Sequence, residues 1–126
     1  LTQGVELVIK ALAEATGGET FISKIPSFKI TDLAEAMMPG CKIKEIGIRP
    51  GEKLHEIMVT TEDSLTTYEY DKHFIVYPQM TWNNRQQPNL SGKKVAEGFS
   101  YSSDNNTDWL SVEDIRTLLK DVELEK

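Results

Sequence analysis

Chain breakers dominate the first half of this sequence: Gly17-Gly18, Ile25-Pro26, Pro39-Gly40 and Pro50-Gly51 cut it into short segments. Proline removes a backbone donor and fixes φ, so no long helix can run through these points. Each segment must therefore find its partners elsewhere in the chain. Val5, Leu7, Val8, Ile9, Ala11 and Leu12 recur at helical spacing and stop at Thr16-Gly17-Gly18. Thr20-Phe21-Ile22 reads as a short strand, and Ile30 to Met38 as a second helix whose Met37 and Met38 fill a core. Lys42 to Ile48 alternates polar and apolar residues, which predicts a strand, and Lys53 to Met58 carries apolar positions at helical spacing. Strand alternating with helix predicts an α/β fold.

The second half has a different texture. Thr66 to Tyr70 and His73 to Tyr77 are rich in β-prone residues, and Asp71-Lys72 between them predicts a hairpin. Gln79 to Glu97 is polar, includes Pro88 and Gly92, and reads as a long loop. Ser111 and Asp114 have the spacing of a capping box, followed by the helical stripe Val112, Ile115, Leu118 and Leu119.

Charge narrows the classes of ligand. A net charge of -6 over 126 residues, with no basic stripe, argues against a general nucleic-acid surface. An anionic ligand needs a local positive site. Apolar content of 39% beside 27% charged residues suits a soluble chain, and no apolar run reaches the length of a membrane helix. The single cysteine, Cys41, excludes an internal disulfide framework, and with no signal-like segment the cytoplasm is the expected compartment. The chain starts at Leu1, already inside a helical pattern, so a piece of a longer protein is expected.

Ile46-Gly47-Ile48-Arg49-Pro50-Gly51-Glu52-Lys53-Leu54-His55-Glu56 stands out chemically. The predicted strand and helix leave Arg49 and Glu52 in the loop between them, where rigid scaffolds present binding groups. The forked guanidinium donors of Arg49 match phosphate oxygens bidentately. The Glu52 carboxylate accepts hydrogen bonds and suits paired sugar hydroxyls. One turn can thus hold both the phosphate and the ribose of a nucleotide; a plain surface ion pair is the alternative. Lys24, before Ile25-Pro26, is a further candidate for phosphate, against an ordinary solvated lysine.

Other patterns carry less. Tyr68 and Lys72 match a Tyr-x-x-x-Lys pair, but that acid/base chemistry needs one helix face and this segment favours a strand. His55, a helix-surface residue on this reading, His73, a strand residue, and Cys41 lack partners at metal-ligand spacing. Trp82 and Trp109 are read as packing residues rather than base-stacking platforms.

Gly18-Glu19-Thr20-Phe21-Ile22-Ser23-Lys24-Ile25-Pro26-Ser27, Ile30-Thr31-Asp32-Leu33-Ala34, the Ile46 to Met58 run, and Tyr101-Ser102-Ser103-Asp104-Asn105-Asn106 with Trp109-Leu110 together resemble one family. They are similar to the C-terminal part of inverting UDP-N-acetylglucosamine 4,6-dehydratases, the 5-epimerising enzymes that open pseudaminic acid biosynthesis in bacteria. Ser23 departs from the family, which often has proline before the lysine. The resemblance implies the C-terminal portion of an extended short-chain dehydrogenase/reductase: the end of a Rossmann domain plus a smaller substrate domain with a β-hairpin. It implies that residues 1–126 are this substrate-binding part, and that NADP is held by an N-terminal Rossmann domain outside the chain. It further implies a homo-oligomer and a UDP-sugar substrate, oxidised at C4, dehydrated across C5 and C6, and reduced at C6 with inversion at C5. By the resemblance Arg49 would bind the diphosphate and Glu52 the uridine ribose; Lys24 stays a substrate-binding candidate on its residue type alone. No catalytic residue is expected within the chain, so alone it would be inactive. A stand-alone, non-catalytic module for nucleotide sugars or proteins is the alternative.

Overall fold

A computed structural model describes residues 2–79 and 90–120. Trp82 and Pro88, with most of the expected polar loop, lie outside the described residues. The chain divides into two compact units, one built from residues up to Lys24 with Ile57–Tyr101, the other from Ile25–Glu56 with the residues from Ser102 on.

The first unit begins with helix α1 (Thr2–Glu14), packed on strand β1 (Thr20–Ser23). Its apolar stripe is present, yet Val8, Ile9 and Leu12 remain exposed. A 3-10 turn (Asp63–Thr66) leads into β3 (Thr67–Glu69) and β4 (His73–Val76). These form the predicted hairpin about Asp71-Lys72, closed by the Tyr70 N–H on the His73 carbonyl at 2.9 Å. The antiparallel sheet runs β1-β4-β3-β5, with Phe21 opposite Ile75 and Ile75 opposite Tyr68. β4 is flanked on both sides, which is why His73, Phe74 and Ile75 are all buried. Part of the expected polar loop departs from prediction: Lys93–Lys94 form the edge strand β5 against Tyr68 and Glu69. Two lysines suit an edge, because their charge discourages further strand pairing. β2 (Ile57–Val59) and β6 (Tyr101–Ser102) make a separate two-stranded sheet. Ile22, Val59, Phe74 and Tyr101 form the core of this unit, with Val76, Val95 and Phe99 against it.

The second unit packs α2 (Ile30–Met37) on α3 (Val112–Lys120). The capping box forms as expected: Ser111 N–H donates to the Asp114 carboxylate at 2.9 Å, and Asp114 N–H donates to Ser111 Oγ at 3.2 Å. Ile115 is buried, and Phe28, Leu33, Leu110, Leu118 and Leu119 complete an apolar cleft of about 140 Å³ around it. Ser27 joins the chain before Leu110 through Ser27 N–H to Asp108 O and Leu110 N–H to Ser27 O, both 2.8 Å. Met37 and Met38 are exposed rather than core, because the helix meets α3 through its other side and ends at Met37.

Two expected elements are absent. Residues 42–48 are not a strand: Ile43, Ile46 and Ile48 are exposed and Gly47 takes φ +77°. Alternation shows that a segment suits a ladder, not that a ladder partner exists. Residues 53–58 are not a helix. Leu54 is 82% exposed, so a helix there would have no buried face to hold it, and Ile57 and Val59 enter β2 instead.

Candidate functional site

Arg49 and Glu52 therefore sit in a β-turn within an extended loop, not between a strand and a helix. Pro50 fixes φ at the second turn position and Gly51 takes φ +86° at the third, the residue preferences of a type II turn. The Glu52 N–H closes it on the Arg49 carbonyl at 3.0 Å. Glu52 folds back so that its Oε2 accepts the Arg49 N–H at 2.8 Å, while its Oε1 lies 3.8 Å from Arg49 Nε. The backbone turn and the Glu52 side chain thus place guanidinium and carboxylate side by side on one small turn. The guanidinium is 72% exposed and Glu52 half-exposed. Most of the arginine donors and the remaining carboxylate lone pairs are left for a ligand, with an anion-binding and a hydroxyl-binding group side by side.

The loop leaves this turn through His55 and Glu56, and there it meets the late polar motif. The Ser103 N–H donates to the Glu56 carbonyl at 2.9 Å, and the Glu56 N–H donates to Ser103 Oγ at 3.1 Å. The motif is itself braced: Ser102 N–H donates to Asn105 Oδ1 at 2.9 Å, and Ser102 Oγ to the Asp104 carboxylate. The Ser102 bond holds the Asp104 carboxyl below the usual carboxylate range against slight burial, and the charge of His55 contributes. Asn106 Nδ2 reaches the Ile25 carbonyl at 2.8 Å and Ser27 Oγ at 3.1 Å. Ser103 and Asn106 gave no chemical signal in the sequence, since their partners lie far away along the chain. Trp109 donates from Nε1 to the Asn106 carbonyl at 2.7 Å.

Lys24 belongs to the other unit. Its ammonium pairs with Glu69 at 2.8 Å and lies 5.0 Å from the centre of the Phe74 ring. Tyr68 lies on β3 and Lys72 in the hairpin turn, so they do not share a helix face. His73 is buried between the rings of Phe21 and Tyr70, and its Nε2 has no hydrogen-bond partner among the described residues. Burial lowers its pKa; Lys10 and Lys24 add to the effect and Glu14 opposes it.

The described residues form no dinucleotide-binding turn. No Gly-x-Gly-x-x-Gly occurs in the sequence, and Gly17-Gly18 follows a helix and precedes a strand, the reverse of a dinucleotide-binding turn. Among the described residues, no helix is long and apolar enough to cross a membrane, and no cluster of metal-ligating side chains occurs.

The fold is mixed α/β and corresponds to one part of an extended short-chain dehydrogenase/reductase. It aligns with the X-ray structure of Pen from Bacillus thuringiensis at TM-score 0.76 and 34% identity, over 98% of this chain and 36% of that one. The chain belongs to the polysaccharide biosynthesis protein family, whose model matches residues 1–78. It is 43% identical, over 98% of its length, to an inverting UDP-N-acetylglucosamine 4,6-dehydratase of Campylobacter jejuni. A UDP-glucose 4-epimerase of Rickettsia canadensis is 32% identical over 94% of the chain. The chain spans only 39% of the dehydratase and 36% of the epimerase.

Proposed function

We propose that this chain is the UDP-sugar-binding, C-terminal part of an NADP-dependent UDP-N-acetylglucosamine 4,6-dehydratase that inverts C5, acting in the cytoplasm in bacterial surface polysaccharide or pseudaminic acid biosynthesis. The observation that carries this reading is the Arg49–Glu52 turn, which pairs an exposed guanidinium with a carboxylate in a chain 43% identical to an inverting dehydratase. Arg49 holds the diphosphate and Glu52 the ribose hydroxyls; Lys24 is a separate substrate-binding candidate in the first unit. In this reading the residues that would hold NADP, and the acid/base groups, lie outside this chain, and the cofactor would supply hydride acceptance and return there. The working enzyme is a homo-oligomer.

Mass spectrometry of the protein that carries this chain, incubated with NADP and UDP-N-acetylglucosamine, tests the reaction. Dehydration gives a product lighter by one water, and NMR then reads the configuration at C5. A 4-epimerase gives an isomer of unchanged mass, which contradicts the proposal. The chain by itself yields neither product; turnover by these residues alone would overturn their assignment to substrate binding only.

A further inference from the structure

The Arg49 loop has no ladder or helix of its own from residue 41 to 56. An isolated turn of this kind would lose much of its binding energy in becoming ordered when a ligand arrives. Its far end runs into the β2–β6 sheet at Ile57, and at Glu56 itself the reciprocal pair at Ser103 extends that tie: the Ser103 amide engages the Glu56 carbonyl, and the Ser103 hydroxyl adds a side-chain bond from the Glu56 amide. The two residues are 47 apart in sequence, and the Glu56 N–H to Ser103 Oγ bond lies at the exposed surface. An exposed bond of this kind adds little to the stability of a core, but it fixes the direction in which the loop departs.

The bracket is stiff on its own side, because Ser102, Asp104 and Asn105 hydrogen-bond one another. Asn106 fastens the same motif to Ile25 and Ser27. Only a side chain with a short acceptor oxygen can take the Glu56 N–H at position 103. Alanine cannot, whereas threonine keeps the oxygen in place.

We propose that Ser103 is a positioning residue for nucleotide recognition: through Glu56 it holds the 49–56 loop so that Arg49 and Glu52 meet a nucleoside diphosphate already ordered. This rests on the reading of the Arg49–Glu52 turn as the UDP site. Ser103 touches no ligand itself.

Calorimetric titration of UDP into the protein that carries this chain, for wild type, Ser103→Ala, Ser103→Thr and Arg49→Ala, tests the proposal alongside melting curves. The expected result is an affinity about three- to tenfold weaker for Ser103→Ala, the scale of one neutral hydrogen bond. Ser103→Thr restores wild-type affinity, and the melting temperature of both variants stays close to wild type. Wild-type affinity in Ser103→Ala, with Arg49→Ala weakened, overturns the positioning role and leaves the UDP site standing. Unchanged affinity in Arg49→Ala overturns the UDP site and this proposal with it. Should Ser103→Ala fail to fold, weakened binding by a folded Ser103→Thr overturns the proposal, and wild-type binding supports it.

Discussion

His73 shows how one side chain sets a response to acid. Its ring, on the inner strand β4, is stacked 4.9 Å from that of Tyr70 and 6.0 Å from that of Phe21. Burial first, and then Lys10 and Lys24, disfavour the imidazolium, with Glu14 in opposition. The folded pKa therefore lies below the unfolded value of about 6.5. Unfolded chains bind the proton first, so stability is complete above about pH 6.5 and is lost as pH falls through the folded pKa. His73→Phe keeps the stack and removes this loss, so melting temperature followed from neutral pH to about pH 5 should decline less in the variant. An equal decline in both proteins would show that His73 plays no part. Asp104 and Asp114 also titrate below their ordinary values, chiefly through bonds from Ser102 and Ser111. Their contribution disappears only further down, as pH passes below the usual carboxylate range.

At the level of elements, what the sequence made legible was local. The capping box at Ser111 and Asp114 closes within a single helical turn, and the β3–β4 hairpin closes across Asp71-Lys72. Ser111→Ala should cost about 1 kcal/mol, read as a lower unfolding midpoint, with UDP affinity unchanged because α3 lies outside the Arg49 turn. An unaltered midpoint would show that the cap does not hold the helix. The misread elements fail for a common reason. Whether Lys42 to Ile48 becomes a strand depends on a partner that no local pattern encodes, and the β2 residues Ile57 and Val59 find theirs more than forty positions away, at Tyr101–Ser102. Arg49 and Glu52 were legible as a pair because Pro50-Gly51 forces them together, although the turn was expected to join a strand to a helix. Ser103 was not legible as a site residue, since its amide and hydroxyl meet Glu56 only after the chain has folded.

For the whole molecule, the family and the overall class were readable from the sequence, while the division into two interleaved units was not. The first unit returns at Ile57 and the second at Ser102, so each is assembled from separated stretches. Lys24 and the Arg49–Glu52 turn fall in different units, although the sequence grouped all three as substrate-binding candidates. Lys24 is already engaged by Glu69 and Phe74, whereas the Arg49 guanidinium is largely exposed. Nucleotide binding by this chain therefore turns on the arginine. Calorimetric titration of UDP into the protein that carries this chain, with and without Arg49→Ala, tests that claim most directly. The expected loss is roughly 1.5 to 3 kcal/mol, the scale of a hydrogen bond to a charged group. Equal affinity in the two proteins would contradict it and leave Arg49 and Glu52 as a surface ion pair.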